Sequence, residues 1–267
     1  MTKKRRKYHK EFTIGDVWMA AMNEDVRIDG RKPDELRPVE WSNSPAPSAA
    51  ASVTIKVGNT HVVCVANIEE RVPRWMYVQK VAGGWLTAEY RMLPYAGTER
   101  RTRESSIGKI GGRTHEIQRL IGRSLRAVVD LAALGKNTVW IDCDVLQSDG
   151  GTRTASITGA YVALRIAVNR WLKAGILKKD PFTDSLAAIS VGLRDNTALL
   201  DLCYEEDSAA DVDMNVVMTG SGKFIEIQGT AEETPFSREQ MQDMLALAEK
   251  GVTELLEEQN RFIESVT

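Results

Sequence analysis

Ile141-Asp-Cys-Asp-Val-Leu-Gln-Ser-Asp-Gly-Gly-Thr-Arg-Thr-Ala-Ser-Ile-Thr-Gly-Ala160 is the stretch whose reading decides the fold. Apolar and polar residues alternate from Val139 to Leu146, the period of a half-buried strand. Gly150-Gly151 interrupts that period, and from Thr154 the spacing turns helical, with Ile157, Val162, Leu164, Ile166 and Val168 leading to Trp171. A glycine pair between strand and helix permits a tight turn and leaves the first N–H groups of the helix without intrahelical partners. Those donors lie at the positive end of the helix dipole, so the junction is a ready anion site. Arg153 adds a planar fork of donors suited to phosphate oxygens. An ordinary strand–helix turn with a surface arginine reads the same way in sequence, so the junction alone leaves both readings open.

Outward from this segment, strands are expected near 36–41, 52–58, 61–69 and 138–146, with a helix from about Thr114 to Leu134 capped by Gly135. After the 154–174 helix the order recurs as strands 186–193, 198–204, 212–218 and 223–229 and a long helix, 238–263. Ser237 and Gln240 are placed to form a capping box on that helix. The expected class is α/β, a sandwich of mixed sheets and helices built from duplicated strand-and-helix units. Residues 1–25 read as a basic, flexible extension with a short helix from Ile14 to Met22, and residues 26–267 as a single domain.

At 267 residues the chain can bury a large core, and 43% hydrophobic with 27% charged residues is ordinary for a soluble protein. No apolar run approaches the roughly 20 residues that span a bilayer, and no signal-peptide core follows the basic N-terminus. Cys64, Cys143 and Cys203 each fall in strand-like runs without metal spacing, which implies reduced core cysteines in a cytoplasmic protein.

The formal net charge of −2 conceals a strong segregation. Residues 71–126 carry twelve Lys/Arg against four acids, whereas residues 195–267 carry seventeen acids against four Lys/Arg. A basic zone beside an acidic one suits a polyanion binder that also needs carboxylate chemistry, although much of the C-terminal acid reads equally as a solvated helix face. Asp207 and Asp213 stand six apart in an acidic loop between two apolar runs. Such a loop either converges two hard oxygen ligands for Mg²⁺ or Mn²⁺ or is simply solvated. No His-Glu-X-X-His helix, cysteine pair or nucleophile elbow is present for zinc or serine chemistry. Gly220-Ser-Gly-Lys223 is a decoy for a nucleotide-binding loop: Val217 occupies the place of the earlier glycine, Phe224 that of the Ser/Thr, and a strand follows.

Seven motifs follow one another along the chain: Arg27-Ile-Asp-Gly-Arg31, Glu35-Leu-Arg-Pro-Val39, Gly84-Trp-Leu-Thr-Ala-Glu-Tyr90 with Met92-Leu-Pro94, Gly112-Arg-Thr-His-Glu-Ile-Gln-Arg-Leu-Ile121, the Asp142–Ala160 block, Asp213-Met-Asn-Val-Val-Met-Thr219 and Gln228-Gly-Thr-Ala-Glu232. In that order they resemble the ribonuclease PH family, phosphate-dependent 3′→5′ exoribonucleases akin to polynucleotide phosphorylase and the exosome ring. The resemblance implies that Arg113, Gly151, Thr152 and Arg153 hold inorganic phosphate. It implies further that Asp207 and Asp213 serve metal binding and acid catalysis, and that Arg100 and Arg103 contact RNA. It also implies a divalent metal (Mg or Mn), phosphate as co-substrate, tRNA precursors and rRNA 3′ ends as RNA partners, and a homohexamer arranged as a trimer of dimers. Two departures stand out. Tyr95 and Gly97 replace the usual Arg and Thr after Met-Leu-Pro, while Arg91 stands where a small residue is usual. Arg91 is the candidate to restore the missing charge and Tyr95 a candidate to stack on a base, with ring-interface packing the alternative for both. The rival reading from another class is a ring subunit that binds RNA without cleaving it.

Overall fold

The computed structural model describes residues 27–43, 46–232 and 234–267. The expected Ile14–Met22 helix lies outside them. The chain divides into two compact units, Met1–Pro33 and Asp34–Thr267. In the first, a turn closes where the Arg31 backbone N–H and Nε donate to the Asp29 carboxylate at 3.2 and 2.6 Å.

The second unit holds two sheets. The first has the order β1-β2-β3-β5-β4, from β1 (Val39–Asn43), β2 (Ala51–Val57), β3 (Thr60–Glu69), β4 (Trp85–Met92) and β5 (Thr138–Gln147). All its pairs are antiparallel except β4 with β5. The second has the order β7-β6-β8-β9, from β6 (Leu186–Arg194), β7 (Thr197–Leu200), β8 (Val212–Thr219) and β9 (Phe224–Ala231), and is wholly antiparallel. The helices are α1 (Arg74–Gln79), α2 (Glu104–Ile107), α3 (Gly112–Ala127), α4 (Thr152–Lys173), α5 (Tyr204–Asp207) and α6 (Arg238–Val266).

Alternation in the first sheet sends Val53, Ile55, Val62, Cys64, Leu86, Ala88, Ile141 and Cys143 into one core. Helix α4 fills that core and also meets β6 and β8, so it lies between the two sheets. Sixteen of its 22 residues are buried, which explains why its sequence is apolar nearly all round rather than striped. Strand β6 is buried along almost its whole length. Leu186 and Ala188 join the α4 core, while Ala187, Ile189 and Val191 meet Met244, Ala248, Val252 and Leu255 of α6. The Ser237–Gln240 capping box forms, with the Gln240 N–H donating to Ser237 Oγ at 3.2 Å and the Ser237 N–H to Gln240 Oε1 at 2.8 Å. Gly220–Gly222 is the expected hairpin turn between β8 and β9.

Three sequence expectations need correction. The helix expected over 114–134 ends at Ala127, with Val128 as its cap. Val129 then leaves the helix to bridge Phe182, and Gly135 turns the loop that follows rather than capping α3. The strand expected over 198–204 stops at Leu200. Asp201 takes a left-handed backbone (φ 55°), and Cys203 becomes the N-cap of α5 instead of a strand residue. The strand expected from residue 36 begins only at Val39.

Candidate active site

Gly150 and Gly151 both adopt positive φ, 72° and 63°, which makes the turn into α4 as tight as the sequence suggests. A Cβ on Gly150 would stand 2.4 Å from the Leu202 carbonyl oxygen, so the turn rests directly on the 202–204 backbone. This brings the start of α4 to the segment that leads into α5. A cavity of about 260 Å³ opens there, and Arg113, Gly151, Thr152, Arg153, Asp207 and Asp213 all line it. Six residues spread over a hundred positions therefore share one wall-to-wall space.

Each has a structural reason for its place. Arg113 is the second residue of α3, and Thr152 and Arg153 open α4. The buried hydroxyl of Tyr90 on β4 ties these elements together. It donates to Thr152 Oγ1 at 3.0 Å and accepts from Arg113 Nη1 at 3.5 Å. Arg153 Nη1 donates to Gln228 Oε1 at 2.7 Å and to Glu116 Oε1 at 3.3 Å, which ties the guanidinium to β9 and α3. Asp207 ends α5, and Asp213 is the second residue of β8.

The two carboxylates are not ordinary. Burial raises the Asp213 pKa from 3.8 to about 6, with the negative charge of Asp207 adding to the effect and Arg153 opposing it. Burial also raises Asp207, while Arg153, Arg113 and Arg37 pull it back. Two half-buried hard-oxygen donors facing one space suit a small divalent cation. Mg²⁺ is commonly held by one or two carboxylates together with water and substrate phosphates, so a pair is sufficient. Among the described residues no group of three or more His, Cys, Asp or Glu forms a cage that would replace those outer ligands.

Sequence reasoning missed several residues of this cavity: Met92, Arg101, Ser148, Ser190, Tyr204 and Asn215. Strand register was the available signal for two of them. Counting by two from Asp213 gives Asn215, and the ladder places Ser190 and Gln228 on either side of it. Of the candidate RNA contacts, Arg91 and Arg103 line a second cavity of about 250 Å³, which shares Met92, Arg101 and Arg113 with the first. Arg100 lines neither, and its neighbour Arg101 lines both. Tyr95 also lines neither and is 65% exposed.

Comparisons with known proteins agree over most of the chain. Residues 35–168 match the model of the 3′ exoribonuclease family, domain 1, and residues 184–251 that of domain 2. The Bacillus subtilis (strain 168) ribonuclease PH is 57% identical over 239 residues, 89% of this chain and 97% of that protein. The ribonuclease PH of Corynebacterium kroppenstedtii is 56% identical over 243 residues, 91% of this chain and 94% of its own length. Among solved structures, the Archaeoglobus fulgidus exosome with RNA bound to the active site superposes with a TM-score of 0.73 at 22% identity, covering 91% of this chain and 96% of that one. An archaeal exosome core gives 0.69 at 21% identity, covering 92% and 95%. At that identity the structures speak for the fold.

Proposed function

The chain belongs to the RNase PH family of 3′ exoribonucleases, and from that membership we infer that it is a phosphate-dependent 3′→5′ exoribonuclease. The observation that carries the reading to particular residues is the shared cavity, in which the α4 N-terminus, Arg113 and Arg153 face Asp207 and Asp213. Retention of both the arginines and the aspartates disfavours a catalytically silent RNA-binding subunit.

In this reading inorganic phosphate is the nucleophile. One of its oxygens bonds to the phosphorus of the last phosphodiester, and the bond from that phosphorus to the 3′ oxygen of the penultimate nucleotide breaks. The products are a nucleoside diphosphate and an RNA shorter by one residue, whose 3′ oxygen gains a proton. Two anions must approach each other, so the site has to offset their repulsion. Arg113, Arg153 and the open N–H groups from Gly151 and Thr152 hold the attacking phosphate. Asp207 and Asp213 would hold the divalent metal, which when bound supplies charge neutralisation at the leaving oxygen. A protonated Asp213 is the alternative proton source for that oxygen, consistent with its raised pKa. One phosphoanhydride bond forms as one phosphodiester bond breaks, and no water is consumed, so the same site runs in reverse and adds nucleotides from diphosphates.

The finer assignments follow as proposals. The RNA is a tRNA precursor, with rRNA 3′ ends a further class, and it enters past Arg91, Arg101 and Arg103. The assembly is a homohexamer, a trimer of dimers, which the fold shared with exosome structures supports. Among the described residues no helix is long and apolar enough to cross a membrane. The test is a 3′-extended tRNA precursor incubated with and without phosphate. Nucleoside diphosphate released only with phosphate is expected. Nucleoside monophosphate as the main product would sink the assignment.

A further inference from the structure

Asp149 stands one residue before the glycine pair, and each polar group it owns is engaged. Its N–H donates to the Thr60 hydroxyl at 2.9 Å, and that hydroxyl donates onward to the Gly150 carbonyl at 2.7 Å. Its carbonyl accepts from Arg37 Nη1. Its Oδ2 accepts from Asn59 Nδ2 at 3.2 Å, and its Oδ1 from the backbone N–H of Tyr204 at 3.1 Å. Behind it, Arg37 Nε and Nη2 donate to Asp201 at 2.9 and 2.6 Å, in a pair whose side chains are 4% and 2% exposed.

Through Asp149 two segments far apart in sequence become one piece. The first is the turn that opens α4. The second starts at Asp201 and runs through Tyr204, the first residue of α5, to Asp207 at its end. We infer that Asp149 is a positioning residue for phosphorolysis, locking the anion-binding turn to the short helix that carries Asp207. The nucleophile and the carboxylate that serves the leaving group are thereby held at a fixed separation. The inference rests on the assignment of Gly151–Arg153 to phosphate. In-line displacement rewards such pre-set geometry, because a shift of about 1 Å in a reacting group is enough to cost a hundredfold in rate.

Removing Arg37 or Asp201 would strand a buried charge and threaten the fold, so the test belongs at Asp149 and Tyr204. Asp149→Ala is expected to raise the KM for phosphate about tenfold, the size of a lost hydrogen bond to a charged group, and to lower kcat. The KM for RNA should stay near that of the wild type. Asp149→Asn should recover most of the phosphate KM, since its amide oxygen still accepts from Tyr204. A merely structural role would lower the active fraction and leave the phosphate KM alone, and that result in Asp149→Ala overturns the inference.

A second pair of variants covers the case in which Asp149→Ala does not fold. Tyr204→Ala and Tyr204→Pro lose the same ring, but only proline lacks the N–H that reaches Asp149. Proline is tolerated at the first position of a helix, and Cys203 before it is already extended (φ −76°, ψ 173°). The phosphate KM of Tyr204→Pro should exceed that of Tyr204→Ala several-fold, and equal values overturn the inference. Wild-type protein that ignores phosphate and releases monophosphates would instead refute the functional reading on which it rests.

Discussion

Asp213 holds its proton far more tightly than an exposed aspartate, because its carboxyl is withdrawn from water and faces Asp207. A carboxyl whose folded pKa lies above its unfolded value binds more protons in the native state between the two values. Stability therefore rises as pH falls from about 6 toward 3.8, and the ionised form is a liability at neutral pH. Asp213→Asn should abolish turnover, leave RNA binding intact and raise Tm at pH 7.5, with the gain shrinking below pH 6 where the wild-type group is itself neutral. Thermal melts at the two pH values check this, and a lowered Tm at pH 7.5 would contradict the electrostatic reading. Arg153→Ala should raise the phosphate requirement steeply, since a charge-assisted contact to an anion is worth about 1.5–3 kcal/mol. Phosphate titration of the initial rate measures it, and an unchanged KM would move the anion site elsewhere. The glycine pair and Arg153 were legible because backbone freedom and guanidinium chemistry are local properties. Gln228 was not, because its place depends on β9 pairing with β8.

At the scale of elements, β4 is the instructive omission. Leu86, Ala88 and Tyr90 alternate with Trp85, Thr87, Glu89 and Arg91, yet what fixes the strand is its parallel pairing with β5, a non-local partner. Likewise α3 ends at Ala127 although apolar residues continue at helical spacing, because Val129 pairs with Phe182 instead. Arg91, near the end of β4, lies in register with Asp144, whose pKa burial raises and Arg91 pulls down. Arg91 also lines the second cavity, so its charge is shared between the sheet face and the proposed RNA path. Arg91→Ala should weaken RNA binding and reduce the salt slope by about 0.7, one single-strand phosphate contact. Tyr95→Ala should cost about 1–3 kcal/mol of affinity with little change in slope if the ring stacks on a base. Salt-titrated binding separates the two effects. Smaller assemblies of either variant on analytical ultracentrifugation would assign that residue to the ring interface instead.

For the whole molecule, the α/β class, the recurrence of strand and helix units and the family were all readable from periodicity and ordered motifs. The arrangement of two sheets about one helix was not, because the nearly uniform apolarity of α4 says that it is buried without saying between what. That helix has a consequence for how the chain is made. It follows the first sheet in sequence, yet Leu186, Ala188 and Val217 of the second sheet complete its core. The first half cannot finish its interior alone, and the second leaves uncovered the face that Leu186, Ala188 and Val217 turn to α4. Ribosomes would thus release an N-terminal portion with a sticky flank that waits for roughly ninety more residues, a non-local closure of the kind that slows folding. A gene cut in the loop between Lys173 and Leu186 should yield two fragments that melt without cooperativity alone and regain phosphorolysis when co-expressed. A C-terminal fragment with its own sharp transition would disprove this. Fragment complementation would make the loop after the central helix a natural split point for a reporter of two proteins meeting.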